Sequence, residues 1–253
     1  MWRDNLCPFD LETSGVNPTM DHVLSACVGH VRDGRSLPRT WLACPSPDFV
    51  VPAGASAING LTTEFIREQG RPSAEVLAQI VDSIVEHMAT GAVLVGHNLS
   101  FDLTTLHHDC QRCGVTTLTE RLGGDLGPCF DTMVTDRQLK PFRRRVSATQ
   151  GPYQLRTAVE VWGRKPDGTV AFGWDDDAAH EAKYDATQSA RVAWAMAADP
   201  AIRDMTIGQL HVAQIGWAAQ QAEDLRRYFI RVGKPEAAAT VDGAWPIRTE
   251  GTS

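Results

Sequence analysis

Three short stretches of this chain carry side chains that could do chemistry together. They are Phe9-Asp10-Leu11-Glu12-Thr13, Gly96-His97-Asn98-Leu99-Ser100-Phe101-Asp102 and His180-Glu181-Ala182-Lys183-Tyr184-Asp185. Four carboxylates and a histidine suit a site that holds two divalent cations about 4 Å apart and hydrolyses a phosphodiester. Such ions need clustered hard oxygen ligands, and an imidazole titrating near neutrality suits the base that takes a proton from water. Each stretch also has an ordinary reading. Asp10 and Glu12 could lie in a turn capped by Thr13 or Ser14. Asn98 or Ser100 could cap a helix whose dipole favours Asp102. His180 could be a surface residue at a solvated helix start.

The neighbouring elements decide whether the stretches can meet. Leu6–Leu11 reads as a first strand, so Asp10 and Glu12, two apart, share one face. Pro8 cannot donate to a ladder, which predicts an irregular or late-starting strand. Val23–Val31 and Thr40–Cys44 read as further strands, with Asp33-Gly34 as turn chemistry. Residues 45–61 read as a loop and Thr62 as a helix N-cap. Ser73–Ala89 is the clearest helix, with Val76, Leu77, Ile80, Val81, Ile84, Val85 and Met88 at 3–4 spacing. Ala92–Val95 reads as a buried strand leading to His97, followed by a helix over Phe101–Cys113. A short strand over Cys129–Met133 and helices over Gln154–Trp162 and Ala179–Ala197 follow. His180 and Asp185 are five apart, ~500° on a helix, so they do not share a face. If both serve one site, His180 sits just before or at the helix start, on a mobile segment following Asp175-Asp176-Asp177. Strands first and then alternating helices and strands predict an α/β fold with a mixed sheet. Beyond Pro200, residues 210–232 read as one helix or two, stopped by Pro235, and the apolar 241–247 segment as a tail that packs back.

The net charge of −7 over 253 residues excludes a protein that coats nucleic acid nonspecifically, but not one with a local basic track. No apolar run approaches the ~18 residues of a membrane span. Arg3, Asp4 and Asn5 interrupt the start where a secretory leader would be apolar. A cytoplasmic protein with no membrane partner is the expectation. The six cysteines show no disulfide framework and read as reduced core residues; His107, Cys110 and Cys113 lack the second pair a structural zinc site needs. Residues 137–156 hold Arg137, Lys140, Arg143, Arg144, Arg145 and Arg156 with no Asp or Glu, and interleave Phe142 and Tyr153. That pattern reads as a flap that tracks phosphates and stacks bases, or as a solvated basic loop.

Taken jointly, the three stretches resemble the DnaQ-like 3′–5′ exonucleases of the DEDDh type. Asp10-Leu11-Glu12-Thr13, His97-Asn98-Leu99-Ser100-Phe101-Asp102 and His180-Glu181-Ala182-Lys183-Tyr184-Asp185 match that family's three motifs in order and internal spacing. The resemblance covers about residues 5–198. It implies a ribonuclease H-like fold, a mixed five-stranded sheet flanked by helices, as a domain over 1–199, leaving 200–253 as a helical C-terminal extension packed on it. It implies that Asp10, Glu12, Asp102 and Asp185 hold two Mg²⁺ or Mn²⁺ ions and that His180 is the general base. Thr13, Asn98, Phe101 and an apolar segment matching Ile58-Asn59-Gly60-Leu61 would meet the terminal nucleotides, with Asn59 standing where the family carries histidine. Arg143, Arg144 and Arg145 complete the expected substrate contacts. Asp131 is expected beside the site without being a ligand. The implied substrate is the 3′ end of single-stranded or frayed DNA, ahead of RNA, with release of nucleoside 5′-monophosphates. Exoribonuclease trimming and a non-catalytic, polymerase-associated binding module are the rival readings. A polymerase or replication partner and self-association stay open.

Overall fold

In the computed structural model, which describes residues 2–32 and 34–248, a six-stranded mixed sheet is ordered β4-β3-β2-β1-β5-β6. The strands are β1 (Asn5–Thr13), β2 (Val23–Arg32), β3 (Arg35–Cys44), β4 (Arg71–Pro72), β5 (Val93–Gly96) and β6 (Cys129–Asp131). The helices are α1 (Ala53–Asn59), α2 (Thr63–Gln69), α3 (Ser73–Ala89), α4 (Leu99–Arg112), α5 (Leu118–Arg121), α6 (Thr132–Leu139), α7 (Leu155–Trp162), α8 (Ala182–Met196), α9 (Ile207–Arg231) and α10 (Pro235–Ala239). β1, β2 and β3 form an antiparallel meander, and β5 and β6 add in parallel beyond β1. The strand beyond the five expected is β4, two residues beside β3, too short and too proline-bound to read as a strand. Asp33, expected in the β2–β3 turn, lies outside the described residues.

β1 is the central strand, and its alternation sorts the molecule into layers. Cys7, Phe9 and Leu11 enter a core with α3 and α4, built on Val76, Leu77, Ile80, Leu99 and Leu103. Leu6 enters a second core with Val93, Val95, Ala158 and the α8 residues Ala190, Val192, Ala193 and Met196. Asp10 and Glu12 share the parity of Leu6 and therefore face α8. Pro8 neither delays nor bends the strand. The β1–β2 register runs unchanged from Leu6↔Val31 to Phe9↔Val28 and skips only the residues between. A Cβ on Gly29, opposite, would stand 2.8 Å from the Pro8 ring, so glycine makes room for the ring.

Four helices went unseen: α1, α5, α6 and α10. α1 lies inside the expected loop because Ala-Gly-Ala-Ser-Ala has no apolar period; only Ala55 is buried. α6 begins where a strand was expected to continue, since Asp131 accepts hydrogen bonds from the Met133 (2.9 Å) and Val134 (3.3 Å) amides and starts a helix. Thr62 caps α2 as expected, accepting from Phe65 N–H. Pro235 opens α10 at its first turn; Gly233, at φ +74°, ends α9 instead. The end of the chain does pack back. Ile202 and Leu210 enter the second core and Trp245 the first, at 8% exposure. No helix among the described residues is long and apolar enough to cross a membrane.

Candidate active site

The carboxyl end of β1 carries Asp10 and Glu12, and the first turn of α8 brings Asp185 across to them. One carboxylate oxygen from each of Asp10, Glu12 and Asp185 lies within 4.8 Å of the other two. Among the described residues this is the only such group of potential metal ligands. Asp102, in the first turn of α4, is 4% exposed, and its Oδ1 accepts the Leu11 amide at 3.1 Å. That bond ties α4 to β1 and holds Asp102 at the wall of the site, outside the three-carboxylate group.

The electrostatics call for a cation. Burial first, then the charges of Asp102, Asp185 and Glu12, push Asp10 well above the usual carboxylate range. Burial and the charges of Asp185 and Asp102 lift Glu12 to about 8. Burial lifts Asp185 to about 7, against the pull of the His180 main-chain amide. Burial likewise raises Asp102, opposed by the Leu11 amide. Asp185 Oδ1 is buried and has no hydrogen-bond partner. Crowded hard oxygens with an orphaned acceptor among them fit a divalent ion.

His180 precedes α8 at φ +62°, exposed, on the rim of the same cleft, an open space of about 910 Å³. The segment before it is tied down at two points. Tyr184 Oη accepts the Asp175 amide at 2.6 Å, and Arg156 pairs with Asp176 at 2.6 Å. The expected break between His180 and the helix is therefore present, but the segment is anchored.

The second motif builds the opposite wall. His97 bonds Thr132 Oγ1 at 2.8 Å and the Tyr153 carbonyl at 2.9 Å. Burial holds it down at about 4, so it is a neutral strut near neutrality. Asn98 occupies the α4 N-cap at φ +65° without a side-chain cap, and its amide donates to Asp131 at 3.1 Å. Phe101 lines the cleft. Asp131, fully buried, also accepts from Trp245 Nε1 at 3.4 Å, which makes it a structural hub.

Several other expected contacts stand elsewhere. Thr13 Oγ1 donates to the Gly15 carbonyl at 2.6 Å and does not line the cleft. Asn59 is occupied: it donates to the Thr13 carbonyl at 3.3 Å and accepts the Leu61 amide at 3.0 Å. It thereby holds α1 beside the end of β1, with Ile58 exposed. Arg143 is not free for substrate, because it pairs with the fully buried Asp136 and lies over the Tyr153 ring. Arg144 and Arg145 are exposed but off the cleft. Its cationic lining is Arg137 and Arg156, with Trp174 beside them. Their signal was the basic excess of 137–156, which does not say which arginines are used internally. The cysteines are all free, and burial pushes Cys27 and Cys129 up to about 12.

A mixed sheet with acidic residues at its central strand end, faced by a helix that completes the cluster, is the ribonuclease H-like arrangement. The chain belongs to the RNase_T exonuclease family, whose model matches residues 8–193, and so to the DnaQ-like 3′–5′ exonucleases that its motifs resemble. It is similar to the PolC-type DNA polymerase III of Halalkalibacterium halodurans, 26% identical over 198 residues, which is 78% of this chain and 12% of that protein. The PolC-type polymerase of Lacticaseibacillus paracasei is 24% identical over 166 residues, 66% of this chain and 10% of that one. Among solved structures, E. coli exonuclease I in complex with a dT13 oligonucleotide superposes with a TM-score of 0.61 at 16% identity, over 77% of this chain and 41% of that one. That likeness shows the fold. The chain spans about a tenth of the length of these polymerases and about two-fifths of exonuclease I.

Proposed function

We propose that this chain hydrolyses single-stranded DNA from the 3′ end and releases nucleoside 5′-monophosphates. The observation that carries the reading is the meeting of Asp10, Glu12 and Asp185 within 4.8 Å, with an orphaned oxygen on Asp185 and His180 on the same cleft. Asp10, Glu12 and Asp185 would hold two divalent cations, Mg²⁺ or Mn²⁺, with Asp102 supplying the fourth carboxylate. When bound, the ions supply positive charge against the phosphodiester and its leaving 3′ oxygen and make the attacking water more acidic. His180 takes the proton from that water at a ring nitrogen, and its exposed position lets the proton pass to solvent. Asp102 fixes the α4 start against β1 through the Leu11 amide. Phe101 gives a terminal base an apolar surface. Arg137 and Arg156 attract the strand's phosphates into an otherwise acidic cleft.

The DNA preference is supported by the relatives, which are DNA polymerases and an exonuclease crystallised with oligodeoxynucleotides. The PolC relatives also support a polymerase-linked setting, and six unpaired cysteines a reducing, cytoplasmic one. The test is a time course on 5′-labelled DNA and RNA oligomers of one sequence with Mg²⁺ or Mn²⁺, then with EDTA. A DNA ladder shortening from the 3′ end and stopped by EDTA is expected. Faster loss of the RNA would replace the substrate, and tight 3′-end binding with no turnover in either metal would replace catalysis by binding.

A further inference from the structure

A second, smaller cleft of about 120 Å³ opens beside the acidic one, and the two share Asn98, Met133 and Arg137 as common walls. The far wall is the end of the described chain, with Trp245 and Arg248. Three polar groups on residues that line this space are unused. Ser100 is 5% exposed and its Oγ has no hydrogen-bond partner. The Nε atoms of Arg137 and Arg248 are likewise buried and unpartnered. Among the described residues, neither arginine forms an ion pair, although Asp131 and Asp242 also line the space. Those two carboxylates are engaged: Asp131 with three main-chain amides and Trp245, Asp242 Oδ1 with the Ala244 amide at 2.8 Å. The fourteen-residue helix α4 starts at this wall without a side-chain cap, and the positive end of its dipole adds to the two guanidinium groups.

We propose that this cleft is a subsite for one backbone phosphate of the nucleic-acid strand, built jointly by the α4 start, Arg137 and the C-terminal Arg248. It rests on the exonuclease reading above and gives the C-terminal segment a role in it. A strand whose 3′ end lies at Asp10, Glu12 and Asp185 and whose upstream part passes Asn98 meets Arg137 and then Arg248. Ser100 Oγ donates to a phosphate oxygen there, and the guanidinium groups supply charge-assisted hydrogen bonds. The Arg248 backbone is held independently of its side chain. Its amide donates to Thr104 Oγ1 at 3.1 Å, and its carbonyl accepts from His108 Nε2 at 3.1 Å. A side-chain substitution therefore leaves the segment seated.

The experiment measures binding of a fluorescent single-stranded DNA oligomer to full-length wild type, Arg248→Gln and Arg248→Lys in EDTA over a range of salt. Hydrolysis of the same oligomer and of thymidine 5′-monophosphate p-nitrophenyl ester, which has no upstream phosphate, is followed in Mn²⁺. Arg248→Gln should weaken oligomer binding about tenfold and reduce the slope of log affinity against log salt by ~0.7. Arg248→Lys should keep most of that slope. The KM for the oligomer should rise more than the KM for the ester. Wild-type affinity and slope in Arg248→Gln, with both substrates hydrolysed by wild type, would overturn the subsite alone. Equal KM changes on both substrates would do the same. If inorganic phosphate competes with the ester in wild type and not in Arg248→Gln, while the oligomer slope is unchanged, the cleft binds free phosphate and the strand reading falls. A wild type inert toward both substrates would overturn the exonuclease reading itself.

Discussion

Neutralising one member of the acidic cluster should move stability and metal response in opposite directions. Glu12 stands at about 8 and Asp185 at about 7 in the metal-free fold, both above the usual carboxylate range. An acid whose folded value is raised keeps a proton that the unfolded chain has released, so stability falls as pH rises toward the folded value. Between about pH 6.5 and about pH 8, Glu12 and Asp185 together cost about 2 kcal/mol at ~1.4 kcal/mol per proton per pH unit. For a chain of this size that is a fall in Tm of ~4–8 °C. His97 offsets only about 0.4 kcal/mol over that window, because it is neutral in the fold and half protonated in the unfolded chain at about pH 6.5. A divalent ion at a hundredfold excess over its Kd should restore about 2.7 kcal/mol. Asp10→Asn replaces a carboxyl that burial and the charges of Asp102, Asp185 and Glu12 raise well above its usual range with a neutral group of the same shape. Its metal-free Tm at pH 8 should rise by a few degrees, the Mn²⁺-induced increase should shrink to a small fraction, and hydrolysis should be lost. Differential scanning calorimetry in EDTA and in Mn²⁺ reads the first two. A metal-free Tm that drops in Asp10→Asn while the Mn²⁺ increase survives would refute the reasoning, because Asp10 would then be a structural carboxylate.

Three further outcomes follow from the geometry. His180→Ala should lower kcat by about 10²–10⁴ while the Mn²⁺-induced rise in Tm persists, since His180 is outside the carboxylate group; a lost rise would make it a ligand. His97 has a lowered folded value near 4, so the unfolded chain takes up the proton first and stability is lost as pH falls from about 6.5 to about 4, by at most ~3 kcal/mol. The difference between wild type and His97→Gln in urea midpoints over that window should show it, and parallel profiles would contradict it. Asp136→Ala leaves Arg143 without its buried partner and Trp162 Nε1 without its acceptor at 2.7 Å. It should cost about 3–5 kcal/mol in urea unfolding, whereas Arg144→Ala, on an exposed position, should cost less than about 0.5 kcal/mol.

What was legible in the sequence follows how local the physics is. α3 was readable residue for residue because its apolar period is complete and the core uses the same face. β1 and β2 were readable because each is a short, near-continuous apolar run buried on both faces. α1 was not, because an Ala/Gly/Ser helix carries no period and is held only by Ala55 and by Asn59 reaching the Thr13 carbonyl. α6 was hidden by a carboxylate with two plausible uses: Asp131 ends a strand and caps a helix at once. The three motifs placed their carboxylates correctly around one cleft, since spacing within each motif matches its own element. Nothing in the spacing could say that Asp102 would spend an oxygen on Leu11.

The basic segment shows where such reading ends. Charge content alone made Arg143, Arg144 and Arg145 equivalent, but a guanidinium is as useful to a fold as to a phosphate. Arg143 is used by the fold, because Asp136 is fully buried on α6 and an unpaired carboxylate there would be strongly destabilising. Tyr153 then packs on Arg143 and Arg137, and its carbonyl receives His97, so the same loop braces the second motif. The arginines free for the proposed phosphate contacts are those whose partners are exposed or missing: Arg156, held to Asp176 at 2.6 Å and Glu160 at 3.2 Å, and Arg137, with no ion pair among the described residues. A phosphate can displace a surface carboxylate at little cost but cannot extract a guanidinium from a buried one. On the proposed reading, the phosphate track of this cleft is set by which arginines the core releases, and that is decided by residues such as the fully buried Asp136.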